Sequence, residues 1–112
     1  MERETMEYDV VVVGGGPSGL STAIKFAQMN KENGTDYSIC LLEKGSEIGA
    51  HILSGNVFQT TALDELIPNW KDLNAPLNVP VKKDKLLFLS EKISFPVPAF
   101  IMPTMNNHGN YV

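Results

Sequence analysis

Cysteine occurs once in the 112 residues, at Cys40, and tryptophan once, at Trp70. A single thiol excludes an intrachain disulfide framework, a zinc-finger pattern and a self-contained iron–sulfur site. Positive charge is also scarce: nine Lys and Arg stand against thirteen Asp and Glu, a formal net charge of −4. The basic residues are scattered, so no stripe of them tracks a phosphate backbone, and nucleic acid is not an expected partner. No apolar run approaches the ~20 residues of a transmembrane helix. The opening Met-Glu-Arg-Glu-Thr-Met-Glu-Tyr-Asp is acidic and lacks an apolar core. It reads as neither a secretory signal nor an Arg-rich transit peptide, which puts the chain in the cytosol or on the cytosolic face of a membrane. What is present, 43% hydrophobic and 20% charged residues, is the composition of a globular protein rather than a disordered or coiled-coil one. The length allows one small domain with little surplus stability.

The regular part of the pattern comes first. Asp9 to Val13 closes with four valines and stops at Gly14, a short β-branched run expected as a central strand of a parallel sheet. After the glycines, Leu20, Ala23, Ile24 and Ala27 recur at helical spacing. Pro17 suits the first turn of that helix, and Asn33-Gly34 supplies a left-handed residue to end it. Tyr37 to Leu42 is a second apolar run, ending at Glu43. Strand, glycine turn, helix and strand over residues 8–45 form a βαβ unit with a right-handed crossover expected. Gly45 to Gly55 reads as a loop, and a short helix follows with Thr61 as N-cap, Asp64 near its positive end and Pro68 as its stop. Within residues 76–112, Lys85 to Leu89 and Ile93 to Ile101 are extended segments joined at Ser90-Glu91-Lys92, and Pro96, Pro98 and Pro103 confine the second to an edge or an irregular ribbon.

Gly14-Gly15-Gly16-Pro17-Ser18-Gly19 is G-x-G-x-x-G, set between a strand and a helix. Gly14 permits the tight turn, Gly16 lets a pyrophosphate approach the backbone without meeting a Cβ, and Gly19 lets the helix pack closely on the sheet. Unsatisfied N–H groups and the aligned dipoles at the helix start favour the anion, the dipole contributing ~0.3–2 kcal/mol. Glu43 lies 24 residues beyond Gly19, near the spacing of an acid that binds a ribose diol. A carboxylate there would repel a 2′-phosphate, which points to FAD or NAD and away from NADP.

The wording Gly-Gly-Gly-Pro-Ser-Gly, with Glu43-Lys44-Gly45 after it, resembles the opening of FAD-binding oxidoreductases. Further along, the resemblance narrows to the electron transfer flavoprotein–ubiquinone oxidoreductase family. It is carried by Glu43 to Gly55 (most specifically Gly49 to Gly55), Asn69-Trp70-Lys71, Ala75-Pro76-Leu77 and His108-Gly109-Asn110-Tyr111-Val112. It implies an α/β fold: a Rossmann-like, glutathione-reductase-type FAD-binding βαβ unit, incomplete here, then a loop, a short helix and an irregular β ribbon. The implied cofactor-binding residues are Gly14, Gly15, Gly16, Pro17, Ser18, Gly19, Glu43 and Lys44, with no catalytic residue and no metal ligand among these 112. The implied activity is FAD-dependent electron transfer from reduced electron transfer flavoprotein to ubiquinone. The partners would be those two and a membrane surface held monotopically, with residues 46–68 as the membrane-proximal loop and helix. The family's [4Fe-4S] cluster needs four cysteines in a C-terminal part, so the chain is expected to be an N-terminal fragment, inactive and a poor holder of FAD by itself. The absence of a transit peptide favours a bacterial-type enzyme on the cytoplasmic face of the inner membrane over one of the mitochondrial inner membrane. Two other readings share the same front end: a flavin-dependent reductase of isoprenoid lipids and a non-catalytic nucleotide-binding module.

The remaining chemistry-bearing residues read mainly as structural. His51, which follows Gly49-Ala50 in the loop beside the implied flavin, could contact cofactor or quinone, and His108 has no partner at metal-ligand spacing. Ser54 is not in a G-x-S-x-G elbow. Cys40 is expected as a buried inert thiol, and Trp70, Met102 and Met105 as packing groups. Lys82, Lys83 and Lys85, interleaved with Asp84, read as a solvated face.

Overall fold

The computed structural model describes residues 3–103 and 106–112. It resolves into two compact units, Met1–Leu53 and Ser54–Val112. In the first, β1 (Val10–Val13), α1 (Pro17–Asn33) and β2 (Ile39–Leu42) follow one another. The strands pair in parallel with Val10 opposite Ile39 and Val13 opposite Leu42, so the expected βαβ unit is formed. The register is pinned at its start, where the Asp9 N–H donates to Ser38 Oγ (3.0 Å) and the Ser38 N–H and hydroxyl donate to Asp9 Oδ2 (2.8 and 2.7 Å). These bonds hold the Asp9 carboxyl below its ordinary range. At its end, the Gly14 N–H donates to the Leu42 carbonyl at 2.7 Å.

Helix α1 has Pro17 at its first turn and ends on Gly34 in the left-handed region (φ 66°), whose N–H donates to the Asn30 carbonyl, as Asn33-Gly34 forecast. The strands are shorter than the apolar runs: Asp9, Tyr37 and Ser38 fall outside them, and Asp9 and Ser38 pair through side chains instead. Two further expectations need correction. A central strand would be covered on both sides, yet Val11 and Val13 are 51% and 82% exposed. Cys40 is half-buried rather than buried. The reason is common to both: among the described residues β1 and β2 make a two-stranded sheet, and two strands cannot cover one another's faces.

The second unit is built around Trp70, which is only 4% exposed. Its indole N–H donates to Asp64 Oδ1 at 2.7 Å, Tyr111 meets its ring edge-on at 5.9 Å between centroids, and the Lys71 ammonium lies 5.3 Å from the ring centre. Asp64 comes from α2 (Thr61–Leu66). The last residues are stitched to earlier ones: Phe58 and Tyr111 exchange backbone bonds at 2.7 and 3.0 Å, Val81 N–H reaches the Asn110 carbonyl, and Val112 N–H reaches that of Val79. Asp84 Oδ2 accepts from both the backbone and the amide of Asn107 at 2.8 and 3.0 Å. That bond sets Asp84 apart from the lysines it was grouped with.

Here too the sequence reading needs correction in part. Thr60, not Thr61, occupies the N-cap of α2, and its hydroxyl donates to Asp64 Oδ2 (3.0 Å) instead of a backbone N–H being capped. The two extended segments shrink to β3 (Leu86–Leu89) and β4 (Ser94–Val97), an antiparallel hairpin, followed by a 3-10 turn at Ala99–Ile101. Pro96 sits in a two-stranded ribbon, which has only edges. Met102 is 43% exposed and so is not a packing group, while Met105 lies outside the described residues.

Candidate functional site

The turn between β1 and α1 is shaped by glycines that do different jobs. Gly14 takes φ +102°, a conformation open to glycine and costly for other residues. A Cβ on Gly19 would lie 1.9 Å from the Gly14 carbonyl oxygen, so only glycine lets the helix start against the strand. Gly16 is different: its φ is −76°, and a Cβ there would meet nothing within 4 Å. Of the nine glycines, Gly16 alone is demanded neither by a positive φ nor by a neighbouring atom. Its missing side chain leaves room for something outside the chain.

The first intrahelical bond of α1 runs from the Leu20 N–H to the Gly16 carbonyl at 2.9 Å. The N–H groups of Ser18 and Gly19 precede it and have no acceptor within the helix, while Pro17 carries no N–H. The helix start is therefore a pair of donors at the positive end of a 17-residue dipole, with no acidic side chain in its first turn to neutralise it.

Glu43, just past the end of β2, is brought alongside this turn. Its Oε2 accepts the Gly15 N–H at 2.6 Å and its Oε1 the Gly45 N–H at 2.7 Å. The Gly45 and Gly15 bonds hold its carboxyl below the ordinary glutamate range, burial opposes them, and the nearby His51 adds to the lowering. It is ionised at neutral pH.

These groups line one cavity of roughly 310 Å³, with Gly15, Gly16, Pro17, Glu43, Ile48 and His51 among its walls. The 28-residue separation of Gly15 and Glu43 is thus closed by the parallel pairing of β1 and β2. Gly14, Ser18, Gly19 and exposed Lys44 are not on the wall. The wall also holds Leu20, Gly49, Ala50 and Ile52, which the sequence reading did not assign to the site. Gly49, at φ +91°, was the available sign that the chain turns back there. The result is an apolar cleft with the start of α1 on one side and an ionised carboxylate on the other. Among the described residues no three His, Cys, Asp or Glu are grouped to hold a metal, and no helix is long and apolar enough to cross a membrane.

Comparison with known proteins bears on the same residues. The family model for the NAD(P)-binding Rossmann-like domain matches residues 12–74. The chain is 57% identical over its whole length to a probable electron transfer flavoprotein-ubiquinone oxidoreductase of Acinetobacter baylyi, covering 20% of that protein. It is 55% identical over its whole length to the electron transfer flavoprotein-ubiquinone oxidoreductase of Pseudomonas aeruginosa, covering 21%. It is 51% identical to the mitochondrial protein of that name from Mus musculus, again over its whole length and covering 18%. The chain spans about a fifth of the length of the curated relatives it matches, at their N-terminal end.

Proposed function

This chain belongs to the family of NAD(P)-binding Rossmann-like domains, and from that premise we propose that it binds the ADP half of FAD in an oxidoreductase carrying electrons from electron transfer flavoprotein to ubiquinone. The observation that carries the cofactor reading is Gly16, a glycine the chain itself does not need, placed at a helix start with free N–H donors. The residues present fit the group: a Cβ at Gly16 would project into the open space before those donors, and Glu43 stands ready for a diol.

In this reading Gly14 and Gly19 shape the turn, Gly15 ties it to Glu43, and Gly16 and the N–H groups of Ser18 and Gly19 hold the pyrophosphate. Pro17 fixes the first turn of α1 so that those N–H groups point the same way. Glu43 orients the adenosine ribose, and Lys44 beside it supplies positive charge at the cleft's edge. FAD, when bound, supplies one- and two-electron transfer, which reduction of a quinone by a flavoprotein donor demands. The glutathione-reductase type of this domain is part of the same proposal. A [4Fe-4S] cluster does not fit these 112 residues: it takes four cysteines and Cys40 is the only one, so its ligands would lie elsewhere.

The relatives' names include bacterial and mitochondrial proteins, and the reading places this one at an inner membrane, on the cytoplasmic face in a bacterium. Residues 46–68 remain the proposed membrane-proximal stretch, with Ile48, Ile52, Leu53, Val57 and Phe58 exposed along it. The decisive experiment is Gly16→Val in the protein at its natural length. Flavin content after purification, read from the visible absorbance per protein, should fall to near zero while the fold is kept. Full flavin content in a folded Gly16→Val protein would remove the phosphate loop from the site.

A further inference from the structure

We propose that Glu43 is a positioning residue as well as a ligand: its carboxylate clasps the phosphate loop to the loop after β2 and sets the shape of the cleft before any cofactor arrives. The inference deepens the dinucleotide reading above and rests on it. A carboxylate offers about four acceptor sites, two on each oxygen. One on each oxygen is used inside the chain, by the Gly15 N–H at 2.6 Å and the Gly45 N–H at 2.7 Å. The Lys44 N–H also bears on the carboxylate, and the acceptor capacity left over is what a ribose diol would use. The two internal donors come from opposite sides, since Gly15 follows β1 and Gly45 follows β2.

The surroundings are fitted to this clasp. A Cβ on Gly15 would lie 2.9 Å from Glu43 Oε2 and 3.2 Å from Ile48 Cγ1, and one on Gly45 would lie 3.1 Å from Glu43 Oε1. Both bonds are short and charge-assisted, and Gly15 is itself buried. An N–H left without this acceptor in a buried position is costly, so removing the carboxylate frees the loop to seek another arrangement. Glutamine cannot replace it. It carries one oxygen and one NH2, and the NH2 would face an N–H.

The proposal separates cleanly from a role in ribose binding alone. The measurements are amide hydrogen exchange at Gly15 and Gly45 in the ligand-free protein of natural length, and binding of ADP and of 2′,3′-dideoxy-ADP, which lacks the diol. In Glu43→Gln, exchange at the glycine amide that then faces the NH2 should rise about tenfold or more, as loss of a hydrogen bond to a charged group implies. Affinity for dideoxy-ADP should fall by a similar factor and that for ADP by more. Glu43→Asp keeps the charge but is one methylene shorter and cannot span both amides, so it should restore protection at one of them at most. Unchanged exchange at both amides in Glu43→Gln, or normal dideoxy-ADP binding beside weakened ADP binding, overturns the positioning role and leaves the ribose role standing. Wild-type levels of protection at both amides in Glu43→Asp also overturn it. Failure of the unsubstituted protein to bind either nucleotide sinks the dinucleotide reading instead, and the exchange result still decides whether the clasp exists.

Discussion

Gly16 and Gly19 are three residues apart in one motif, yet the structure gives them opposite sensitivities. At Gly19 a methyl group would collide with the Gly14 carbonyl oxygen at 1.9 Å, so Gly19→Ala must push α1 off β1. The expected cost is about 1–3 kcal/mol, the range for forcing a group into a packed site, and denaturant unfolding of the purified protein measures it. At Gly16 the space is empty and φ is ordinary, so Gly16→Val should change stability by no more than about 1 kcal/mol, the scale of an altered N-cap. Its effect belongs to cofactor content. A large stability loss in Gly16→Val with flavin retained would reverse the assignment of the two positions. The motif named all these glycines together; only their surroundings in space separate the one the fold requires from the one proposed to face a ligand.

At the scale of elements, α1 was the most legible part of the chain, because its punctuation is local. Proline at its start, apolar residues at helical spacing and a glycine after its end each act within one or two turns. Gly34 at φ 66° should therefore be sensitive: Gly34→Ala would put a side chain in the left-handed region and should cost about 1 kcal/mol, visible as a lower unfolding midpoint. The strands were less legible. The apolar runs before Gly14 and Glu43 overstate them by a residue or two at the start, where Asp9 and Ser38 turn to side-chain pairing. In α2 the choice between Thr60 and Thr61 hinged on one hydroxyl, and Asp64 drew it away from the backbone. The hairpin was foreseen as two extended segments, but its pairing of Leu86 with Val97 and Leu89 with Ser94 depends on the turn and not on either strand alone.

For the molecule as a whole, three carboxyls share one property. Asp9, Glu43 and Asp64 all accept hydrogen bonds from groups distant in sequence or across a turn, and all three are held below their ordinary range. The sign follows from linkage. A carboxyl whose folded pKa is depressed adds stability that is present above its unfolded pKa and lost as pH falls through the folded value. The melting temperature should accordingly drop between about pH 5 and about pH 3, the interval in which free carboxyls protonate. Asp9→Asn should flatten that drop, because it removes one of the three titrating groups, and an unchanged slope would deny Asp9 its part. Trp70 is the packing counterpart. Trp70→Ala should cost about 3–5 kcal/mol in the stability of the unit from Ser54 to Val112, where it is the one buried large apolar side chain among the described residues.

The scarcity of cysteine, the G-x-G-x-x-G string between a strand and a helix, and the spacing to Glu43 were enough to establish the fold type and the kind of ligand to expect. These are local features, and local chemistry is written in order along the chain. Which N–H groups Glu43 would meet, which glycine would be left with empty space, and that Ile48 and His51 would share the same cleft are matters of three-dimensional closure. They depend on parallel pairing that brings residues 28 positions apart within 2.6 Å. A linear pattern shows that an acid follows the second strand; only the folded chain decides that its carboxylate is already holding the loop it was expected to accompany.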